Sequence, residues 1–158
     1  MPTPQQVEIL RPRIQKAQRT CVDYTGPGIG FGDYLVKEFG EWEPAAHKFG
    51  KIELCTFTAT LKRDIFSKLR MAFEQGAVRI PASRVIREDL HSMARVTTKN
   101  GEVTYKAPHT EDGHADRCTA LALAVRAATF TGSAGNFLVP TGRRAELMAE
   151  RRSKEVFA

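Results

Sequence analysis

Three places in this chain combine residue types that do chemistry. The first is Asp23, which closes the β-favouring run Thr20-Cys21-Val22-Asp23 just before the turn formers Thr25, Gly26 and Pro27. In sheets with helices on their faces, groups at the carboxyl ends of strands are the ones that reach ligands. A carboxylate there can meet a metal ion or a substrate; an aspartate at such a point also caps turns, and both readings stay open. The second is His109-Thr110-Glu111-Asp112-Gly113-His114-Ala115-Asp116, two imidazoles and three carboxylates inside an otherwise basic chain. Acidic groups in a first helical turn complement the helix dipole, and carboxylate oxygens with an imidazole at the margin suit a hard divalent cation. Metal-dependent phosphodiester hydrolysis uses acids such as Asp23 and Asp116, because the bound ion activates water and stabilises the leaving oxygen. Two acids are too few to hold two ions well. Asp33, Glu38, Asp64 and Glu74 fall along helices and do not supply a third.

The third place is Gly26-Pro27-Gly28-Ile29-Gly30-Phe31-Gly32. Backbone amides at a helix start cradle phosphates, which admits a nucleotide-binding α/β protein as one reading. The run is not G-x-G-x-x-G, however, no Lys-Ser/Thr follows it, and the next strand does not end in an acid. A Cβ-free turn that lets a helix pack closely explains the glycines as well.

The elements that must position these groups follow from periodicity. Helices are expected at 4–19, bent or begun at Pro12, at 29–39 with Ile29, Phe31, Leu35, Val36 and Phe39 inward, at 59–75, after Ser83, and at 114–128. Gly40 and Gly76 close the second and third of these. Strands are expected at 20–23, 51–57 and 78–80, with a hairpin of 95–97 and 103–106 turned by Asn100-Gly101. Between them, Trp42, Pro44 and His47 fall in a polar connection. Strand and helix alternate, which is the pattern of an α/β sheet with helices on its faces.

The chain has 158 residues and a net charge of +6, with 42% apolar residues. That is one domain with enough chain for a core, and no apolar run approaches the ~18 residues of a membrane span. No apolar leader is visible at the N-terminus. Cys21, Cys55 and Cys118 are odd in number and far apart, each in an apolar stretch, so they read as reduced thiols and not as a disulfide frame or zinc knuckle. The positive charge permits a polyanionic partner. Lys62, Arg63 and Lys68, with Arg11, Arg13, Lys16 and Arg19, are candidates for sequence-independent contacts to a DNA backbone, or are simply solvated helix charges.

The strings CVDYTGPGIGFGDYL, KIELCTFTATLKRDIFSKLRMAFEQGAVRIP and YKAPHTEDGHADRCTALALA, in that order, resemble the C-terminal nuclease domain of the large terminase subunit of tailed bacteriophages, particularly the Mu-like group. The resemblance covers residues 4 to 130. It implies an α/β domain of the ribonuclease H-like, RuvC-like fold, spanning 1–131; beyond Thr131 the composition itself shifts to Gly, Ser, Thr and the paired arginines Arg143-Arg144 and Arg151-Arg152, which reads as a basic, partly mobile tail at 132–158. It implies an Mg²⁺- or Mn²⁺-dependent endonuclease, with two ions in the complete domain, that cuts double-stranded DNA during genome packaging in the cytoplasm of a bacterial host. The portal protein and the small terminase subunit are the partners it implies. By position, Asp23 resembles the second catalytic acid and Asp116 the third, both metal ligands, with His114 accompanying Asp116. The family's first acid lies on an earlier strand, so the chain is expected to lack the first three strands of that fold. An unpaired sheet edge beside Asp23, self-association through it and weak cleavage by this chain alone are then expected. The alternative is a non-catalytic DNA-binding or assembly module, a truncated or decayed relative.

Overall fold

Helix α1, Thr3–Lys16, starts with Pro4 in its first turn, where a missing N–H costs nothing, and continues through Pro12. Val7 and Ile14, two turns apart on one face, are its buried residues. Strand β1, Thr20–Asp23, follows, then helix α2, Gly28–Phe39, which ends at Gly40 with φ +75°. Two short strands come next, β2 at Trp42–Glu43 and β3 at Lys48–Phe49, before strand β4, Ile52–Cys55. This computed structural model describes residues 2–98, 101–107 and 115–129. The chain divides into two compact units, Met1–Ala127 and Ala128–Ala158; the contacts given below are made within the first.

Strands β1 and β4 run parallel, with Thr20 opposite Ile52, Cys21 opposite Glu53, Val22 opposite Leu54 and Asp23 opposite Cys55. Parallel neighbours need a crossover, and α2 lies on the connection between them. Because successive side chains point to opposite faces, this register sorts the pair into two surfaces. Val22, Ile52 and Leu54 share the apolar one, in the core cluster with Val7 and Ile14 of α1 and Leu35 of α2, joined by Leu10, Phe31, Val36 and Phe39. Cys21, Asp23, Glu53 and Cys55 share the other.

The second part of the unit begins with helix α3, Ala59–Glu74, whose cap Thr58 accepts the Leu61 N–H at 3.1 Å. Its stripe of Ile65, Phe66, Leu69 and Ala72 is buried, as the spacing predicts. Helix α4, Arg84–Ser92, is capped by Ser83. Strands β5, Ala94–Thr97, and β6, Val103–Lys106, form the expected antiparallel hairpin. Tyr105 of β6 packs on Phe66 with ring centroids 5.4 Å apart, and its hydroxyl lies 3.3 Å from that of Ser67. Helix α5, Asp116–Ala128, buries Cys118, Ala122, Leu123 and Val125. At its start the Cys118 N–H donates to Asp89 Oδ2 at 2.8 Å, so a residue of α4 satisfies one of the amides a helix end leaves open.

The mixed α/β composition agrees with the sequence reading; several details differ. Among the described residues there are three separate two-stranded sheets and no single extended one. The polar connection around Trp42 is a small antiparallel hairpin, Trp42 opposite Phe49, closed by a 3₁₀ turn at Pro44–Ala46 with His47 at φ +54°. Trp42 and Phe49 meet edge to face at 6.0 Å, an aromatic pairing across strands of only two residues. Residues 78–80 form no strand, because none of the described residues pairs with them; Ile80 instead lines an apolar cleft. Ile29, expected inward, is 44% exposed, since α2 turns the face of Phe31 and Leu35 to the core and Ile29 lies two residues, about 200° of rotation, from Phe31.

Candidate functional site

The polar face of the β1–β4 pair is the most heavily functionalised surface among the described residues. Glu53 is its centre. Cys21, directly opposite, donates its thiol hydrogen to Glu53 Oε2 at 3.1 Å. Glu53 Oε1 accepts two bonds from Arg126 of α5, from Nη2 at 2.7 Å and from Nε at 2.9 Å. The remaining arm of the same guanidinium reaches Asp64 Oδ2 of α3 at 3.1 Å, and Lys68 bonds Asp64 in turn at 2.9 Å. On the other side, Arg19 Nη1 stands 3.4 Å from Glu53 Oε2, the Arg19 guanidinium donates to the Arg126 carbonyl, and it lies over the Trp42 ring at 5.5 Å. One carboxylate thus ties α5 to the sheet through the planar fork that makes arginine suited to two-point contacts.

Cys55 lies two residues beyond Glu53 on the same face. The sulfurs of Cys21 and Cys55 and a Glu53 oxygen all fall within 4.8 Å of one another. The Cys21 thiol is pushed far above the ordinary thiol range, first by its hydrogen bond with Cys55, then by burial and by the Glu53 charge. Cys55 is shifted down, first through its interaction with the neighbouring Cys21 thiol.

Asp23 is at the carboxyl end of β1, on the same face and paired with Cys55. It is half-buried, and Thr25 donates its hydroxyl to Asp23 Oδ1, so both sequence readings of this residue have a basis: the carboxylate organises the turn and remains at the strand end. Asp116 is exposed in the first turn of α5, in the end of the helix that Asp89 caps. Ten residues separate it from Arg126, about 15 Å along the helix axis at the standard rise. Among the described residues neither Asp23 nor Asp116 belongs to a group of three side chains close enough to share a metal ion. His114 lies outside the described residues, as do His109, Glu111 and Asp112.

The basic candidates separate sharply. Arg19 is 7% exposed and engaged with Glu53, Trp42 and the Arg126 carbonyl, so its guanidinium is not at the surface; its alternation with Cys21 on the extended chain points it into the polar face. Arg11 pairs with Glu8 and Glu38, and Lys68 with Asp64. Arg13, Lys16 and Arg63 are exposed and Lys62 half-buried. In the glycine run, Gly28 is required by close packing: a Cβ there would collide with the Asp23 carbonyl oxygen. Gly32 is the same case, with Tyr24 Cδ2 at 2.8 Å and Leu54 Cδ2 at 2.9 Å from the place of a Cβ, whereas Gly30 faces open space. These contacts are the packing role that the sequence allows for this run.

Sequence reasoning passed over Glu53 and Arg126 and did not join Cys21 to Cys55. The available signal was the two-residue spacing of Arg19, Cys21 and Asp23 and of Glu53 and Cys55, which sets each series on one face of its strand; only the pairing of β1 with β4 merges the two. A second feature is an open apolar cleft of about 460 Å³, lined by Phe66, Leu69, Phe73, Leu90, Met93 and Tyr105 among others. No helix among the described residues is long and apolar enough to cross a membrane. Comparison with family models, curated proteins and solved structures finds no match to this chain.

Proposed function

We propose that this chain is part of a metal-dependent DNA endonuclease of the terminase nuclease type, acting on double-stranded DNA during phage genome packaging in a bacterial host. The observation that carries the reading is Asp23, a carboxylate at the carboxyl end of a parallel strand whose crossover helix starts on a glycine turn packed against it. Parallel neighbours joined by a helix are what the ribonuclease H-like fold requires at this point of the sequence. Asp23 offers hard oxygen donors, which suit Mg²⁺ or Mn²⁺; its Oδ1 is oriented by Thr25. Asp116 and His114 are the further ligand and its companion in this reading. The ion, when bound, supplies Lewis acidity and an activated water. Lys62 and Arg63 at the start of α3 provide phosphate contacts whose strength falls with salt. The portal protein and small terminase subunit are the partners of the complete machine.

A second reading, a DNA-binding or assembly module without catalysis, rests on the exposed Arg13, Lys16 and Arg63, which could contact duplex phosphates without any reaction. Nicking of supercoiled plasmid with Mn²⁺ separates the two. The nuclease reading expects slow cleavage, reduced at least ~100-fold in both Asp23→Asn and Asp116→Asn. Salt-sensitive duplex binding with no cleavage assigns the second reading, and neither binding nor cleavage overturns both.

A further inference from the structure

Three features stand outside that reading: the apolar cleft beside Tyr105, the free edge of β1, and the Cys21–Glu53–Cys55 cluster. Nothing in the structure selects an occupant for the first two. The third carries its own chemistry. We infer that Cys21, Cys55 and Glu53 form a binding site for a thiophilic divalent cation, Zn²⁺ in the first instance, on the polar face of the β1–β4 pair.

The geometry is close to what such an ion needs. Zinc binds thiolate sulfur at about 2.3 Å and carboxylate oxygen at about 2.0–2.2 Å, so two tetrahedral sulfur ligands stand about 3.8 Å apart. The three ligand atoms here already lie within 4.8 Å of one another, and side-chain adjustments of about 1 Å close the set. The position that the ion takes is marked by the Cys21 thiol hydrogen, which now bridges the sulfur and Glu53 Oε2 at 3.1 Å. Oε1 stays with Arg126, a partner that orients the ligating carboxylate in the way outer-shell groups commonly do. Three protein ligands leave a fourth position for water, as open zinc sites have.

Charge decides which ion. Binding exchanges two thiol protons for one M²⁺, so the total charge of the cluster is unchanged and Arg19 and Arg126 do not oppose it. Mg²⁺ would not displace thiol protons, because hard cations take oxygen ligands, and the cluster offers one carboxylate beside two sulfurs. A disulfide is disfavoured by register. Cys21 and Cys55 are diagonal neighbours on adjacent strands; with strands about 4.8 Å apart and two residues spanning about 6.6 Å, their Cα atoms are about 8 Å apart, beyond the ~7 Å that a disulfide bridges.

The test uses the full chain, reduced and stripped of metal, titrated with Co²⁺ as a spectroscopic substitute and then with Zn²⁺. The expected result is one equivalent of Co²⁺ giving a thiolate-to-cobalt charge-transfer band and tetrahedral ligand-field bands, both abolished by one equivalent of Zn²⁺. Cys21→Ser, a change at a half-exposed position, removes the charge-transfer intensity by half or more, and Cys118→Ser leaves it intact. A Zn²⁺-dependent rise in Tm, present in the wild type and Cys118→Ser and lost in Cys21→Ser, gives a second readout. No thiolate band in the folded wild type, or equal loss in Cys118→Ser, overturns the site. DNA cleavage enters neither readout, so the zinc site and the nuclease reading fail separately.

Discussion

The Cys118 thiol is buried at the start of α5, and its pKa is pushed up to about 11, first by burial and then by the charge of Asp89. A raised thiol pKa means that the folded state favours the proton. The resulting stability is complete below the ordinary value of 9.0 and is lost as pH rises through about 11. The urea midpoint of the wild type is therefore expected to fall across that window, and Cys118→Ala flattens the fall; an unchanged alkaline limb would show that another group titrates there. Arg126 presents the opposite case, a charge retained because it is paired. Burial, the largest single influence, works to lower its pKa, and the bonds and charge of Glu53, with smaller contributions from Cys55 and Cys21, together outweigh it and raise the value. Removing one partner of such a pair costs about 3–5 kcal/mol when it is fully buried. Arg126 is a quarter exposed and Glu53 less so, so Arg126→Ala is expected to cost about 2–3 kcal/mol in urea unfolding. A loss below about 1 kcal/mol would place the network in solvent. Residue types were legible at this scale and partners were not: Glu53 reads from the sequence as an ordinary outward position of a strand, yet it is the hub.

At the scale of elements, α2 and its glycine turn separate two roles inside one run. Gly28 has no room for a Cβ because the Asp23 carbonyl occupies the place, while Gly30 has open space around it. Gly28→Ala is expected to destabilise by about 1–3 kcal/mol, the range of overpacking, and to displace the end of β1. Gly30→Ala, a helical position with space, is expected to stabilise by about 0.5–1 kcal/mol. Thermal unfolding of the pair checks both signs; a loss on Gly30→Ala would mean that packing is close there too. The helices were readable because apolar spacing and caps are local: Thr58 and Ser83 bond amides three residues on. The β2–β3 hairpin escaped because two-residue strands carry no period; it exists through the meeting of Trp42 with Phe49.

For the whole unit, the telling feature is how little sheet there is. Among the described residues β1 pairs only with β4, and two-stranded sheets depend on packing against other layers for stability. The edge of β1 away from β4 is a template for another strand. Concentration-dependent association is therefore expected in sedimentation velocity, with the weight-average mass rising over the accessible range; a monomer at every concentration would mean that the edge is covered. The sequence by itself determined the helices, the strand ending in Asp23, the β5–β6 hairpin and the mixed α/β class, since each follows from interactions within a few residues. Tertiary structure alone decided that Cys21 and Cys55 meet around Glu53, that Arg19 turns inward while Arg63 stays outside, and that Arg126 reaches both Glu53 and Asp64. The reason is physical: alternation states which residues share a face of one strand, but only the register between two strands, and the helix laid across them, states which faces become one surface.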